Sequence, residues 1–147
     1  MTESQTEPQE LLVAVDFSPN SLRALTTALR WRHATAEITV LHVVDRVLVE
    51  RIESLGLGRA DEVLAQMRYR AEEEMARLLI ERGGERVESM IVVGEPFVEI
   101  VKIANDLDCD LIVLGIRSGA NQLKQLLFGG TAEQVLRAAS RPVLCVP

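Results

Sequence analysis

At 147 residues the chain has room for one ordinary domain and no second folded core. Apolar residues make up 48% and aromatic residues only 3%, so aliphatic side chains must fill the interior and little remains for a base-stacking platform. A net charge of −6 argues against nucleic acid or an anionic membrane as the main partner.

Residues 1–10 read as a flexible, polar tail. They lack the basic start and apolar stretch of a secretory leader. No apolar run approaches the roughly 18–20 residues that span a bilayer, so a cytoplasmic single domain over residues 11–147 is expected. Leu11 to Val15 is apolar without alternation, the pattern of a strand covered on both faces, and Asp16 ends it. Ser18-Pro19 is a helix opening, with Ser able to cap and Pro suited to the first helical position. Leu22, Leu25 and Leu29 then give a stripe reaching about Arg32. Ile38 to Val44 is the second strand, and residues 45–58 read as a long connection ending in Gly56-Leu57-Gly58.

From about Ala60 to Arg82, Leu64, Met67, Ala71, Met75, Leu78 and Leu79 form a second stripe. The charges opposite it, such as Arg68 and Glu72, read as a solvated face. Gly83-Gly84 stops this helix. Val87 to Val93 is the third strand, and Gly94-Glu95-Pro96 turns into a helix bearing Val98, Ile100, Val101 and Ala104. Leu111 to Leu114 is the fourth strand, closed by Gly115. A helix near Thr131–Ala139 and a last strand over Pro142–Val146 complete the chain. Five strands alternating with four helices imply a doubly wound parallel α/β sheet with helices on both faces. Right-handed crossovers leave few strand orders, of which 3-2-1-4-5 is the natural one. In that order Asp16 and Gly115 meet at the switch point, where ligands bind such sheets.

The stretch from Gly115 to Thr131 carries the strongest chemical signal. Its glycines let backbone N–H groups approach phosphate oxygens, and Gly129-Gly130 precede a helix amino end that attracts anions. Arg117 and Lys124 could neutralise charge. The competing reading is that these glycines only permit turns. It is not a Walker loop, because no Gly-Lys-Ser/Thr follows. Asp16 is either a cap of the next turn or a ligand contact. His42 has no companion at metal-ligand spacing and reads as a satisfied histidine of the core or rim. Cys109 and Cys145 fit no metal or redox spacing and are expected to be reduced. No Ser–His–acid set or Gly-x-Ser-x-Gly elbow exists, and beyond Asp16 no general base or metal ligand can be assigned.

Taken in order, Val13-Ala14-Val15-Asp16-Phe17-Ser18, Val40-Leu41-His42-Val43, Val93-Gly94-Glu95-Pro96, Asp110 to Gly115, and Ala132-Glu133-Gln134-Val135 to Pro142-Val143 together resemble the universal stress protein family. The resemblance covers about residues 11–147. It implies the 3-2-1-4-5 fold, a cytoplasmic homodimer joined through the C-terminal strand, and either an ATP-binding or a non-binding subgroup. The ATP-binding subgroup has Gly, two residues, Gly, nine residues, then Gly-Ser or Gly-Thr. Here Gly115 supplies the first glycine, Ser118 stands at the second, and Gly119 follows one residue late. The nine-residue spacing from Gly119 to Gly129 holds, with Gly130 at the hydroxyl position and Thr131 next.

Carried over, the resemblance puts Ala14, Val15 and Asp16 beside a nucleoside and the Val43 backbone beside adenine. Leu114 and Gly115 line the same pocket, and Arg117, Gly119, Gly129, Gly130 and Thr131 surround the phosphates. The expected function is an ATP-binding regulatory module of the stress response, taking ATP with Mg²⁺. It is not expected to be an enzyme, slow ATP hydrolysis being left open. The alternative is a dimeric stress-related interaction protein that binds no nucleotide.

Overall fold

A computed structural model describes residues 7–116 and 130–147. The chain runs β1 (Glu10–Ala14), α1 (Pro19–Trp31), β2 (Glu37–Asp45), α2 (Arg46–Ser54), α3 (Ala60–Arg82), β3 (Val87–Gly94), α4 (Pro96–Asp106), β4 (Leu111–Gly115), α5 (Thr131–Ala138) and β5 (Val143–Val146). The five strands are parallel and lie in the order β3-β2-β1-β4-β5. The doubly wound sheet expected from the alternation is therefore the fold.

Side chains alternate across the pleat, which builds two cores. Leu11, Val13, Val15, Ile38, Val40 and Val113 pack on one face under Ala24, Leu25 and Ala28 of α1 and Met75 and Leu78 of α3. Leu12, Leu41, Ile112 and Leu114 pack on the other under Ile100, Ile103 and Ala104 of α4 and Val135 of α5. Leu12, Val13, Ile112 and Val113 are wholly buried, which explains their unbroken apolar runs.

Two expectations need correction. The strict alternation fails at residues 45–58, where α2 occupies much of what the pattern gives as a connection. The Asp45 carboxylate accepts the N–H groups of Val47 and Leu48 and starts this helix. The buried face of α1 is also rotated from the leucine stripe. Ser21, Ala24, Leu25 and Ala28 are buried, while Leu22 and Leu29 are only half-buried. Small residues on that face let the helix lie close to the sheet.

Candidate functional site

The site is built where β1 ends. Val15 N–H donates to the Leu41 carbonyl at 2.8 Å, the last link between β1 and β2, and the chain then turns away. Phe17 takes φ 65°, the left-handed region that an L-residue enters at a cost of about 1–2 kcal/mol. The turn is held by a small network. Asp16 Oδ1 accepts Ser18 N–H at 3.0 Å, Asp16 N–H donates to Ser21 Oγ at 3.3 Å, and Ser21 Oγ–H donates to the Ser18 carbonyl at 3.0 Å. Ser18 also caps α1 by accepting Ser21 N–H, with Pro19 in the first turn. Lost hydration pushes the Asp16 carboxyl up, but its hydrogen bonds with Ser18 and Ser21 outweigh that and hold it below its ordinary range.

The exit of β4 is tied to the same turn. Asn20 Nδ2–H donates to the Ile116 carbonyl. A Cβ on Gly115 would come within 2.4 Å of the Asn20 carbonyl oxygen. Gly115 is therefore required by the close approach of the first turn of α1, a reason that neither reading of the glycines anticipates.

These segments bound a cavity of about 840 Å³ at the carboxyl ends of β1, β2 and β4. Of the expected site residues, Ala14, Val15, Asp16, Val43, Leu114, Gly115, Gly130 and Thr131 all line it. Arg117, Gly119 and Gly129 lie outside the described residues. The cavity also takes in Ser18, Asn20, Ser21, His42, Asp45, Leu48, Met67 and Glu133, which sequence reading did not assign to a site. A signal existed for one of these. Asp45 ends a strand before a helix just as Asp16 does. A second cavity of about 500 Å³ lies at the opposite end of the sheet, under Trp31, and holds none of the expected residues.

Two features give the larger cavity its binding potential. In β2, Glu37 N–H bonds to Gln9 and the Leu41 carbonyl bonds to Val15, so odd-numbered residues turn their backbone groups toward β1. The β1–β2 register ends at Ala14↔Leu41. The N–H and C=O of Val43 therefore face the space that β1 has vacated. The second feature is the amino end of α5, whose N-cap is Gly130 and which has no side-chain cap among the described residues. Its first-turn N–H groups, which have no partner within the helix, and the helix dipole favour an anion.

Charge works the other way. The described lining includes the carboxylates of Asp16, Asp45 and Glu133 and no lysine or arginine. Glu133 is itself paired with Arg137 at 2.8 Å. A polyphosphate entering here gains from an accompanying cation. Among the described residues no three His, Cys, Asp or Glu side chains converge on a metal position. His42 makes the bond of a satisfied histidine, its Nδ1 lying 2.8 Å from the Val15 carbonyl. Cys109 and Cys145 are both free thiols. Burial pushes the Cys109 thiol up to about 11, which leaves it inert at neutral pH.

Residues 8–147 match the model of the universal stress protein family. The chain belongs to that family. Universal stress protein MJ0577 of Methanocaldococcus jannaschii is 33% identical, with 94% of each chain covered. Universal stress protein YxiE of Bacillus subtilis is 29% identical over 93% of this chain and 97% of its own. Among solved structures, MJ0577 superposes with a TM-score of 0.76 at 30% identity, covering 94% of both chains. Universal stress protein UspA of Lactobacillus plantarum gives 0.75 at 25% identity, over 97% of this chain and all of that one. This universal stress protein thus shares its architecture with relatives along nearly its whole length. No helix among the described residues is long and apolar enough to cross a membrane.

Proposed function

We propose that this universal stress protein is an ATP-binding regulatory module of the stress response that takes up ATP together with Mg²⁺. The observation that carries the proposal is the open backbone edge of Val43, which shares one cavity with the amino end of α5. In this reading adenine pairs with the N–H and C=O of Val43, and the nucleoside rests against Ala14, Val15 and Asp16. Leu114 and Gly115 bound the pocket beside β4. Gly130 and Thr131 meet the phosphates, with Arg117, Gly119 and Gly129 assigned the same role by family resemblance. A cavity of about 840 Å³ suits a ligand of nucleotide size. The three carboxylates around it are the reason for Mg²⁺ to accompany the nucleotide. The protein acts in the cytoplasm as a homodimer through β5 and is a binding module rather than an enzyme.

Calorimetric titration tests this. Saturable binding of ATP is expected, tighter with Mg²⁺ than without. Asp16→Ala and Gly130→Val are expected to weaken it about tenfold or more, each removing or blocking a charge-assisted contact. A flat titration of the wild type would leave the surface-acting, nucleotide-free interaction protein as the reading.

A further inference from the structure

Asp16, the acidic residue at the end of β1, stands on a turn that is strained at its next residue, Phe17, with φ 65°. A conformation of this kind persists only where its surroundings over-determine it. Asp16 and Ser18 hold the turn from within, but those bonds are local and do not fix the turn against the sheet. Asn20 ties the following helix turn to the exit of β4 through the Ile116 carbonyl, and His42 supplies the hold on the strained residues themselves from β2. It projects from β2, and its Nδ1 lies 2.8 Å from the carbonyl oxygen of Val15, immediately before Asp16. A carbonyl only accepts, so Nδ1 carries the proton and donates. The same imidazole stacks on Phe17, immediately after Asp16, with ring centroids 4.7 Å apart and planes tilted by 33°. One side chain thus grips the residues on both sides of the carboxylate while lining the cavity itself.

We propose that His42 is a positioning residue, clamping Val15 through its Nδ1–H and Phe17 through its ring so that the Asp16 carboxylate is held where a nucleotide meets it. The proposal rests on the nucleotide reading of the cavity, and it adds a residue that contributes through Asp16 rather than through its own contact. A histidine is suited to this because it combines a directional donor with a flat stacking face. Phenylalanine retains only the face, and asparagine retains only a donor placed near the position of Nδ1.

The test is a double-mutant cycle on ATP affinity in the presence of Mg²⁺, using His42→Phe, His42→Asn, Asp16→Asn and the pair Asp16→Asn/His42→Phe. His42→Phe is expected to weaken binding roughly five- to tenfold, the effect of losing one part-buried donor and loosening what it holds. His42→Asn recovers most of that loss. The double variant binds no more weakly than Asp16→Asn alone, because the clamp acts through that carboxylate. An unchanged affinity in His42→Phe overturns the proposal. So does a loss of the same factor in the Asp16→Asn background, since His42 would then act independently. If His42→Phe does not fold, His42→Leu, which also removes the donor, replaces it in the cycle with the same expectations.

A wild type that takes up no ATP refutes the nucleotide reading but still leaves the clamp open to judgement by amide exchange. The Asp16 and Ser18 N–H groups, which donate to Ser21 Oγ and Asp16 Oδ1, are expected to exchange faster in His42→Phe and less so in His42→Asn. Equal rates in all three proteins overturn the clamp on their own.

Discussion

Gly115 and the two acidic residues Asp16 and Glu10 show how single side chains are priced by their neighbours. With the Asn20 carbonyl so close above it, Gly115 cannot take even a methyl group without moving α1. Gly115→Ala is expected to lower stability by about 1–3 kcal/mol, read as a lower urea midpoint with an unchanged slope. An unchanged midpoint would mean that α1 yields freely at its first turn. The two carboxyls respond to pH with opposite sign. Asp16 titrates below its ordinary value in the folded protein. Its contribution is present above the ordinary carboxylate range and is lost as pH falls through the folded value. The stability gap between wild type and Asp16→Asn is therefore expected to narrow below about pH 4. Glu10 is raised, first by burial and then by the nearby Glu37, Asp110 and Glu88. Its ionised form is the disfavoured one in the fold, so Glu10→Gln is expected to raise the melting temperature at pH 7, with the gain fading in acid as wild-type Glu10 takes up its proton. Melting curves from pH 3 to 7 check both signs. At this scale the sequence is half transparent. Asp16 is visible because it ends an apolar strand, whereas the demand on Gly115 comes from Asn20, far away along the chain.

Among the described elements, α2 is the one that patterning misses. Of its nine residues only Val49 is buried, and Val47 and Leu48 are substantially exposed. Leu48, Val49 and Ile52 do give it a stripe, but one too short over nine residues to stand out beside the turn-prone Gly56-Leu57-Gly58. The helix depends instead on Asp45, whose Oδ1 takes the N–H groups of Val47 and Leu48 at 3.0 and 3.3 Å. Asp45→Ala is expected to cost about 1 kcal/mol, seen as a lower melting temperature. It is also expected to accelerate amide exchange within residues 46–54 relative to α1, whose cap is separate. Exchange that stays unchanged in α2 would show that packing against α3 suffices. The strands are read far better than this, because the central β1 and β4 are buried on both faces and even the part-buried β3 and β5 leave short apolar runs. Helix α1 lies between the two cases. Its position is legible from Ser18-Pro19, but its buried face is not, because alanines carry little hydrophobic signal while permitting the closest packing.

For the whole molecule, the strand order follows from the alternation, the handedness of crossovers and the family resemblance, and the location of the site follows from the order. Their convergence explains why eight expected site residues line one cavity. The order also leaves β5 at an edge, paired in this chain with β4. Its sequence, Val143-Leu144-Cys145-Val146, is uncharged, and such an edge invites a second strand. An antiparallel twofold pairing of β5 with its copy satisfies the edge and closes the assembly. Sedimentation at micromolar concentration is expected to give about twice the chain mass, and Cys145→Pro to shift it toward one, because even-numbered residues of β5 bond to β4 and the Cys145 N–H faces the open edge. A wild type that sediments as a single chain would exclude the contact.

The first strand made is also the middle strand of the sheet. Leu11 pairs with Ile38 on one side and with Leu111 on the other, so β1 acquires its second neighbour only after most of the chain has been synthesised. Closing so distant a pairing is entropically slow. Until then one long edge of β1 stays open, and the crevice between β1 and β4 does not exist. The proposed ligand cavity consequently arrives only with a late structural step, the docking of β4, as a certificate of near-completed folding. In refolding from denaturant, protection of the cavity residues is expected to appear with the slowest phase, after the β1–β2–β3 portion. Protection appearing ahead of β4 docking would reverse that sequence of events.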